Sequence, residues 1–314
     1  MAQRKKSNTP AVRYLRYELT NSGTENTETS HFIDLAKDLS AINRRLYRQG
    51  RRYHVRRISI VSSNTNTLAP GVQAGRISVS AAPESWVTQK AHERGMKLFM
   101  EMQKRAMDAA GNDFRGAYND FKVYLTSDHA TGTKLVPIDN GGNSVKYGDW
   151  SYSDFFTPDG TTGADDFYTT LLGNHVGSAS TRTSVSLVKS YGESRATVSE
   201  APTPGTAAID SDDPLMNLFD DGTTHDEVLA NFQTDGEDPP YDVDDYPGDN
   251  ANMPKPLVMY ETTLGTDGRA NLGGFSAMCG LLEIEAKSPI ANDVYSVLVE
   301  IAPGNYRGVK AEVI

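Results

Sequence analysis

Apolar residues recur along this chain with two periods, and period two dominates. "AVRYLRYELT" alternates Val12, Tyr14 or Leu15, and Tyr17 with polar neighbours, as a half-buried strand does. "YHVRRISIVSS" and "GRISVSA" are β-rich stretches on either side of the turn-forming "NTNTLAPG". "FKVYLTS", "TRTSVSLVKSY" and "SRATVSE" also read as strands, and "APTPG" as a linker after them. The tail carries the clearest β signal, with "PLVMYETTL", "GLLEIEAKS", "DVYSVLVEIA" and "RGVKAEVI" separated by "GTDGRANLGG", "PIAN" and "PGNY".

The helical period occurs twice. Leu35, Leu39, Ile42 and Leu46 fall at i, i+4, i+7 and i+11, which predicts a helix capped by Ser30 and stopped at Gly50. "PESWVTQKAHERGMKLFMEMQKRAMDAAG" predicts a second helix, opened by Pro83 and closed by Gly111, with Trp86, Val87, Met96, Leu98, Phe99 and Met102 as its core face. Its internal Gly95 costs about 1 kcal/mol relative to alanine. From Asp128 to Ser180 the chain is rich in Gly, Thr, Ser, Asp and Asn, with Trp150, Tyr152, Phe155 and Phe156 scattered through it, and reads as long loops.

Short strands without alternating βαβ units exclude the Rossmann and barrel architectures. The expected fold is mainly β: an antiparallel β-sandwich of jelly-roll type, with two inserted α-helices and long surface loops. Residues 1–10 form a short basic arm with no apolar periodicity, expected to be disordered. Residues 11–314 form one domain with an acidic insertion at about 203–254.

Charge sharpens this picture. The net charge of the 314 residues is -10, yet Asp210 to Pro254 holds fourteen Asp or Glu and no Lys or Arg, which leaves +4 for the rest. Such asymmetry points to a polyanionic partner. Within the insertion, Asp242, Asp244, Asp245 and Asp249 could offer oxygens to calcium, but the EF-hand order and terminal glutamate are missing. Pro214 and the pair Thr224 and Glu227 mark two short helices there.

Catalytic motifs are absent: no GxSxG, no phosphate loop, no GxGxxG and no HExxH. The six histidines are dispersed, and the single Cys279 can pair with no other cysteine in the chain. No enzyme activity, metal or cofactor is expected. No apolar run approaches the roughly 20 residues of a membrane span, and "MAQRKK" leads into polar "SNTP" rather than a signal-peptide core.

The most unusual stretch is "RRLYRQGRRYHVRR", seven arginines within residues 44–57. Arg44, Arg45 and Arg48 lie near a predicted helix C-terminus, whose partial negative charge accounts for them. Arg51, Arg52, Arg56 and Arg57 lie beyond it on the turn and following strand, with Tyr47, Tyr53 and His54 interleaved as rings on which bases can stack. Arginine grips phosphate in a bidentate fashion. The candidate nucleic-acid-binding set is therefore Arg4, Lys5, Lys6, Arg44, Arg45, Arg48, Arg51, Arg52, Tyr53, Arg56 and Arg57, with an ion-pair network between subunits as the competing use of the same arginines.

A short basic start, an Arg-dense segment before the first long β-strand, a β-rich body with long polar loops and a final strand together resemble the capsid proteins of small circular Rep-encoding single-stranded DNA viruses. The resemblance implies self-assembly into an icosahedral shell, inward-facing basic residues that neutralise a packaged single-stranded DNA genome, and residence in the virion, with the host nucleus as a site of assembly. It also implies host receptor or glycan contact through surface loops. Only Arg4, Lys5 and Lys6 stand in the arm, so packaging would rely on residues 44–57. The alternative is a carbohydrate-binding or adhesive β-sandwich, with Trp150, Tyr152 and Phe156 as a sugar-stacking platform.

Overall fold

The computed structural model of the protein describes residues 10–62, 75–111, 116–156, 166–177, 182–195, 246–264 and 268–314. Strands β1 (Tyr14–Thr20) and β2 (Glu28–Asp34) lead into helix α1 (Leu35–Asn43), followed by β3 (Arg51–Ser62), β4 (Arg76–Ala81) and helix α2 (Trp86–Ala110). Helix α3 (Ser127–Thr131) and the short strands β5 (Thr133–Lys134), β6 (Asp154–Phe155), β7 (Phe167–Thr170) and β8 (Ser184–Ser186) precede helix α4 (Leu187–Glu193). The tail supplies β9 (Leu257–Thr263), β10 (Arg269–Leu272), β11 (Phe275–Met278), β12 (Leu281–Lys287), β13 (Val294–Ile301), β14 (Pro303–Gly304), β15 (Gly308–Val309) and β16 (Ala311–Val313).

The long strands form two sheets. One runs β1-β13-β3-β10, with β11 and β16 also paired to β3, and the other runs β5-β2-β12-β4-β9. Every pairing in them is antiparallel except β2 with β5. Register aligns apolar residues across the strands: Tyr17, Val297, Ile60 and Ala270 form one buried row, and Ile33, Leu282 and Ala81 form another. Alternation sends these rows inward, where both sheets contribute to a single apolar cluster. Each large side chain so buried contributes about 1.5–3 kcal/mol.

A second cluster gathers α2, α4 and the extended segment 121–125 around Phe32 and Leu281, the strand neighbours of the inward Ile33 and Leu282. Helix α2 starts where Ser85 Oγ accepts from Thr88 N at 3.1 Å and ends at Gly111 in the left-handed region. Val87, Ala91, His92, Gly95 and Phe99 form its buried face. Trp86 and Leu98, expected in that face, are instead 61% and 51% exposed, because the helix is phased on Val87 and Phe99.

Other expectations change as well. Ser30 does not cap α1, because it lies in β2 opposite Glu285. The cap is Asp34, whose Oδ1 accepts from Lys37 N at 3.1 Å. Arg44 turns left-handed (φ 53°) and ends the helix six residues before Gly50, so Leu46 falls off its face. Phe121, Val123 and Leu125 are buried as "FKVYLTS" predicts, but the segment is held by scattered backbone hydrogen bonds, from Ser153 N to the Lys122 carbonyl at 2.9 Å and from Leu172 N to the Leu125 carbonyl at 3.0 Å, and by an isolated bridge from Tyr124 to Thr170, rather than by a regular ladder. "TRTSVSLVKSY" becomes strand only to Ser186, whose hydroxyl caps α4. With α3 and α4 there are four helices among the described residues rather than the expected two. Most of "SRATVSE", the insertion as far as Asp245 and the helices expected within it lie outside the described residues, as do residues 1–9.

Candidate nucleic-acid interface

The seven arginines of residues 44–57 divide into two environments. On β3 the side chains alternate until Glu300, which faces Arg57, is followed by Ile301 facing Val55. The bulge places both Arg56 and Arg57 on the outer face of the sheet. Gly274 makes the close approach here, since a Cβ on it would lie 2.9 Å from the Arg56 carbonyl oxygen. Arg56 and Arg57 bind the Glu300 carboxylate at 2.8 and 3.4 Å, and the Tyr14 hydroxyl donates to it at 3.2 Å. One position before the inward Tyr53, Arg52 reaches Glu312 at 3.7 Å, with His54 3.4 Å from the same carboxylate. Arg51 lies 3.7 Å over the ring of Tyr306. Arg48 donates to the Asn119 carbonyl at 2.7 Å and pairs with Asp120 at 3.3 Å.

The second environment is the end of α1. Arg44 is exposed and occupies the left-handed position that glycine normally fills, at a cost of about 1 kcal/mol. Arg45 donates to the Pro10 carbonyl at 3.4 Å. Arg307 donates to the Leu46 carbonyl. Tyr47, its pKa raised by burial, feels both Arg45 and Arg307, which oppose that rise. Lys37 lies one and two turns before Ala41 and Arg44 on the same helix face, and with Lys146 these residues border a small pocket. Among the described residues no carboxylate forms an ion pair with Lys37, Arg44, Arg45, Lys146 or Arg307. Pro10, the first described residue, lies beside Arg45, and Val12 is tied to Asn43 Oδ1 at 2.7 Å; Arg4, Lys5 and Lys6 lie outside the described residues.

The structure thus separates the predicted residues. Arg52, Arg56 and Arg57 come together on the sheet face, but with carboxylates; Arg44 and Arg45 come together with other cations. The prediction that Tyr53 stacks a base is corrected: its ring is fully buried and its hydroxyl donates to the Arg48 carbonyl at 2.7 Å. Tyr47 is buried in the same way and donates to the Arg307 carbonyl. Sequence reasoning missed Lys37, Lys146 and Arg307, which lie in separate stretches with no local density of charge. Lys37 was legible only as a neighbour of Arg44 on the predicted α1 face.

The aromatic platform is also altered. Trp150 Nε1 and the Tyr152 hydroxyl both donate to Asp34 Oδ2, at 3.1 and 3.2 Å, while Phe156 is 58% exposed. Gln49 Nε2 is a third donor to that oxygen at 3.1 Å. Burial raises the Asp34 carboxyl above its usual range, against the pull of these donors and of Lys37. Asp38, also pushed up by burial, accepts from Tyr17 at 2.6 Å. Asp249, one of four residues considered for calcium, is buried and accepts from Ala251 N at 3.1 Å. Asp242, Asp244 and Asp245 lie outside the described residues. Among the described residues no three His, Cys, Asp or Glu converge as a metal site, and no helix is long and apolar enough to cross a membrane. No family model, curated protein or solved structure matches the chain.

Proposed function

We propose that the protein is a structural coat subunit: a jelly-roll β-sandwich that assembles into a closed icosahedral shell around single-stranded DNA. The cationic end of α1 and the basic arm are the surface that meets the phosphates. The observation that carries this reading is the order of the strands. Taking β1, β2, β3, β4, β9, β10, β12 and β13 as first to eighth, the sheets read 1-8-3-6 and 2-7-4-5. First pairs with eighth, second with seventh, third with sixth and fourth with fifth, as in one long hairpin of four strands out and four back. The pairings of third with eighth and fourth with seventh are those made when that hairpin rolls up. Coat proteins and lectins both use this architecture.

Two features favour the coat over the lectin. Trp150 and Tyr152 spend their polar ends on a buried carboxylate, Tyr152 is stacked on Tyr124 with centroids 3.9 Å apart, and Trp150 lines the small pocket by α1 rather than the cleft that Tyr152 shares with Phe156, so the three rings do not form one open sugar platform. Among the described residues, moreover, the cations around Arg44 form no ion pair with a carboxylate, which suits a polyanion. Closed shells repeat the same contacts on every copy. Purified protein should therefore elute far above monomer size and appear as closed particles in electron micrographs. A monomer that persists across a wide range of salt, pH and concentration overturns the reading.

A further inference from the structure

We propose that the small pocket between α1 and residues 146–150 is a seat for a single phosphate group. This rests on the reading above, that the surface around the end of α1 meets nucleic acid. The pocket encloses about 130 Å³ and takes Lys37 and Arg44 from the helix, with Lys146, Tyr147 and Trp150 from the facing segment. At about 30 Å³ per water molecule this is the room of about four waters, enough for one tetrahedral oxyanion.

Charge decides the ligand class. Three cations from two segments border the space against one carboxylate, Asp149, which accepts from Ser151 Oγ at 2.8 Å but is not neutralised by that hydroxyl, so the lining carries +3 against -1. Lys37 Nζ lies 4.1 Å over the Tyr147 ring, which holds the ammonium at the pocket without neutralising it. Beneath the pocket Lys37 also offsets the field of the buried Asp34 and Asp38. Arg44 and Lys146 form no ion pair among the described residues. Ser40 lines the wall, but its hydroxyl is occupied, donating to the Ala36 carbonyl at 2.6 Å and accepting from Tyr47 N at 2.8 Å. The phosphate is therefore held by charge and by guanidinium and ammonium donors, which read no base.

Trp150 makes the pocket readable. The protein has two tryptophans, so Trp86→Phe leaves Trp150 as the sole tryptophan, excited selectively at the red edge of the absorption band where tyrosine does not absorb. In that background, inorganic phosphate titrated into the full chain at constant ionic strength should change the emission saturably. Arg44→Gln or Lys146→Gln should each weaken phosphate binding about three- to tenfold, whereas Arg56→Gln should not. A single-stranded oligo-dT that displaces phosphate identifies the group as one in a nucleic-acid backbone. Saturable phosphate binding that oligo-dT does not disturb identifies free phosphate, supporting the pocket and counting against nucleic acid at this surface. No saturable change, or one that survives both Arg44→Gln and Lys146→Gln, overturns the pocket, and undiminished oligo-dT binding in that case leaves the coat reading standing.

Discussion

Buried imidazoles give the fold its pH dependence. His92 packs against Phe121 and His129 stacks on Phe32, with ring centroids 5.5 and 5.0 Å apart. Burial disfavours the charged ring, lowering His92 from 6.5 to about 4 and His129 from 6.5 to about 3. Below pH 6.5 the unfolded chain binds these protons and the folded chain does not. Stability present above that pH is lost as pH falls toward the folded values, by about 1.4 kcal/mol per ring for each pH unit. Asp34, Asp38 and Asp120, raised by burial, act in the opposite sense, because the folded chain holds their protons more tightly. Comparison with His92→Leu cancels those carboxylates. Between about pH 6.5 and 5 the urea midpoint of the native chain should fall more steeply than that of the variant; parallel curves would show that His92 is solvated. Dispersed histidines give no such sign in a sequence, since burial of His92 depends on the phase of α2 and on Phe121 arriving from a later segment. The arginines are illegible for the same reason. Arg56 and Arg44 look alike until Glu300, 244 positions away, is seen to claim one of them.

At the scale of elements, pattern predicted long pieces well and short ones poorly. Helix α2 and strands β3, β4, β9, β12 and β13 carry enough periodic residues to outweigh local ambiguity. Helix α1 was placed but misbounded, because Ser30 looks like a cap until β12 pairs with "ETSHFID" and moves the cap to Asp34. Helix α4 is too short for a period to emerge, and its Leu187, Val188 and Tyr191 are fixed by contact with α2 rather than by propensity. Gly95 is where those helices meet. A Cβ there would come within 2.7 Å of Leu187 Cδ2 and 3.2 Å of Phe121 Cζ. Alanine would gain about 1 kcal/mol of helix propensity, but crowding a packed core costs about 1–3 kcal/mol. With Leu187 itself buried, the second effect wins. Gly95→Ala should lower the urea midpoint, most visibly at pH 7 where the imidazoles are neutral; a raised midpoint would mean that α4 moves aside freely.

Across the whole molecule, the architecture was more legible than the surface that would use it. Alternation and turn signals are local and survive in one dimension, whereas the difference between a neutralised arginine and an available one is made by residues that meet only after folding. On the proposed coat reading, the fourteen carboxylates of the stretch from Asp210 to Pro254 would repel a nucleic acid and leave the remaining +4 to attract it. On that reading two surfaces are candidates for phosphate: the outer face of the six-stranded sheet, with Arg52, Arg56 and Arg57, and the end of α1, with Arg44 and Arg45. The first is internally paired. Displacing Glu300 from Arg56 and Arg57 would strand a carboxylate whose side chain is only 5% exposed, at a cost of about 1–3 kcal/mol. The second has no such cost among the described residues, where the guanidinium of Arg45 leaves a carbonyl and that of Arg44 forms no ion pair. Each cation that neutralises a phosphate adds about 0.7 to the slope of log affinity against log salt on a single strand. Replacing both Arg44 and Arg45 by glutamine should therefore make the slope shallower by about 1.4 while assembly continues. Replacing Arg56 and Arg57 should leave the slope unchanged and lower stability instead. The reverse outcome, a slope flattened only by loss of Arg56 and Arg57, would put the nucleic acid on the sheet face and leave the end of α1 to contacts between subunits.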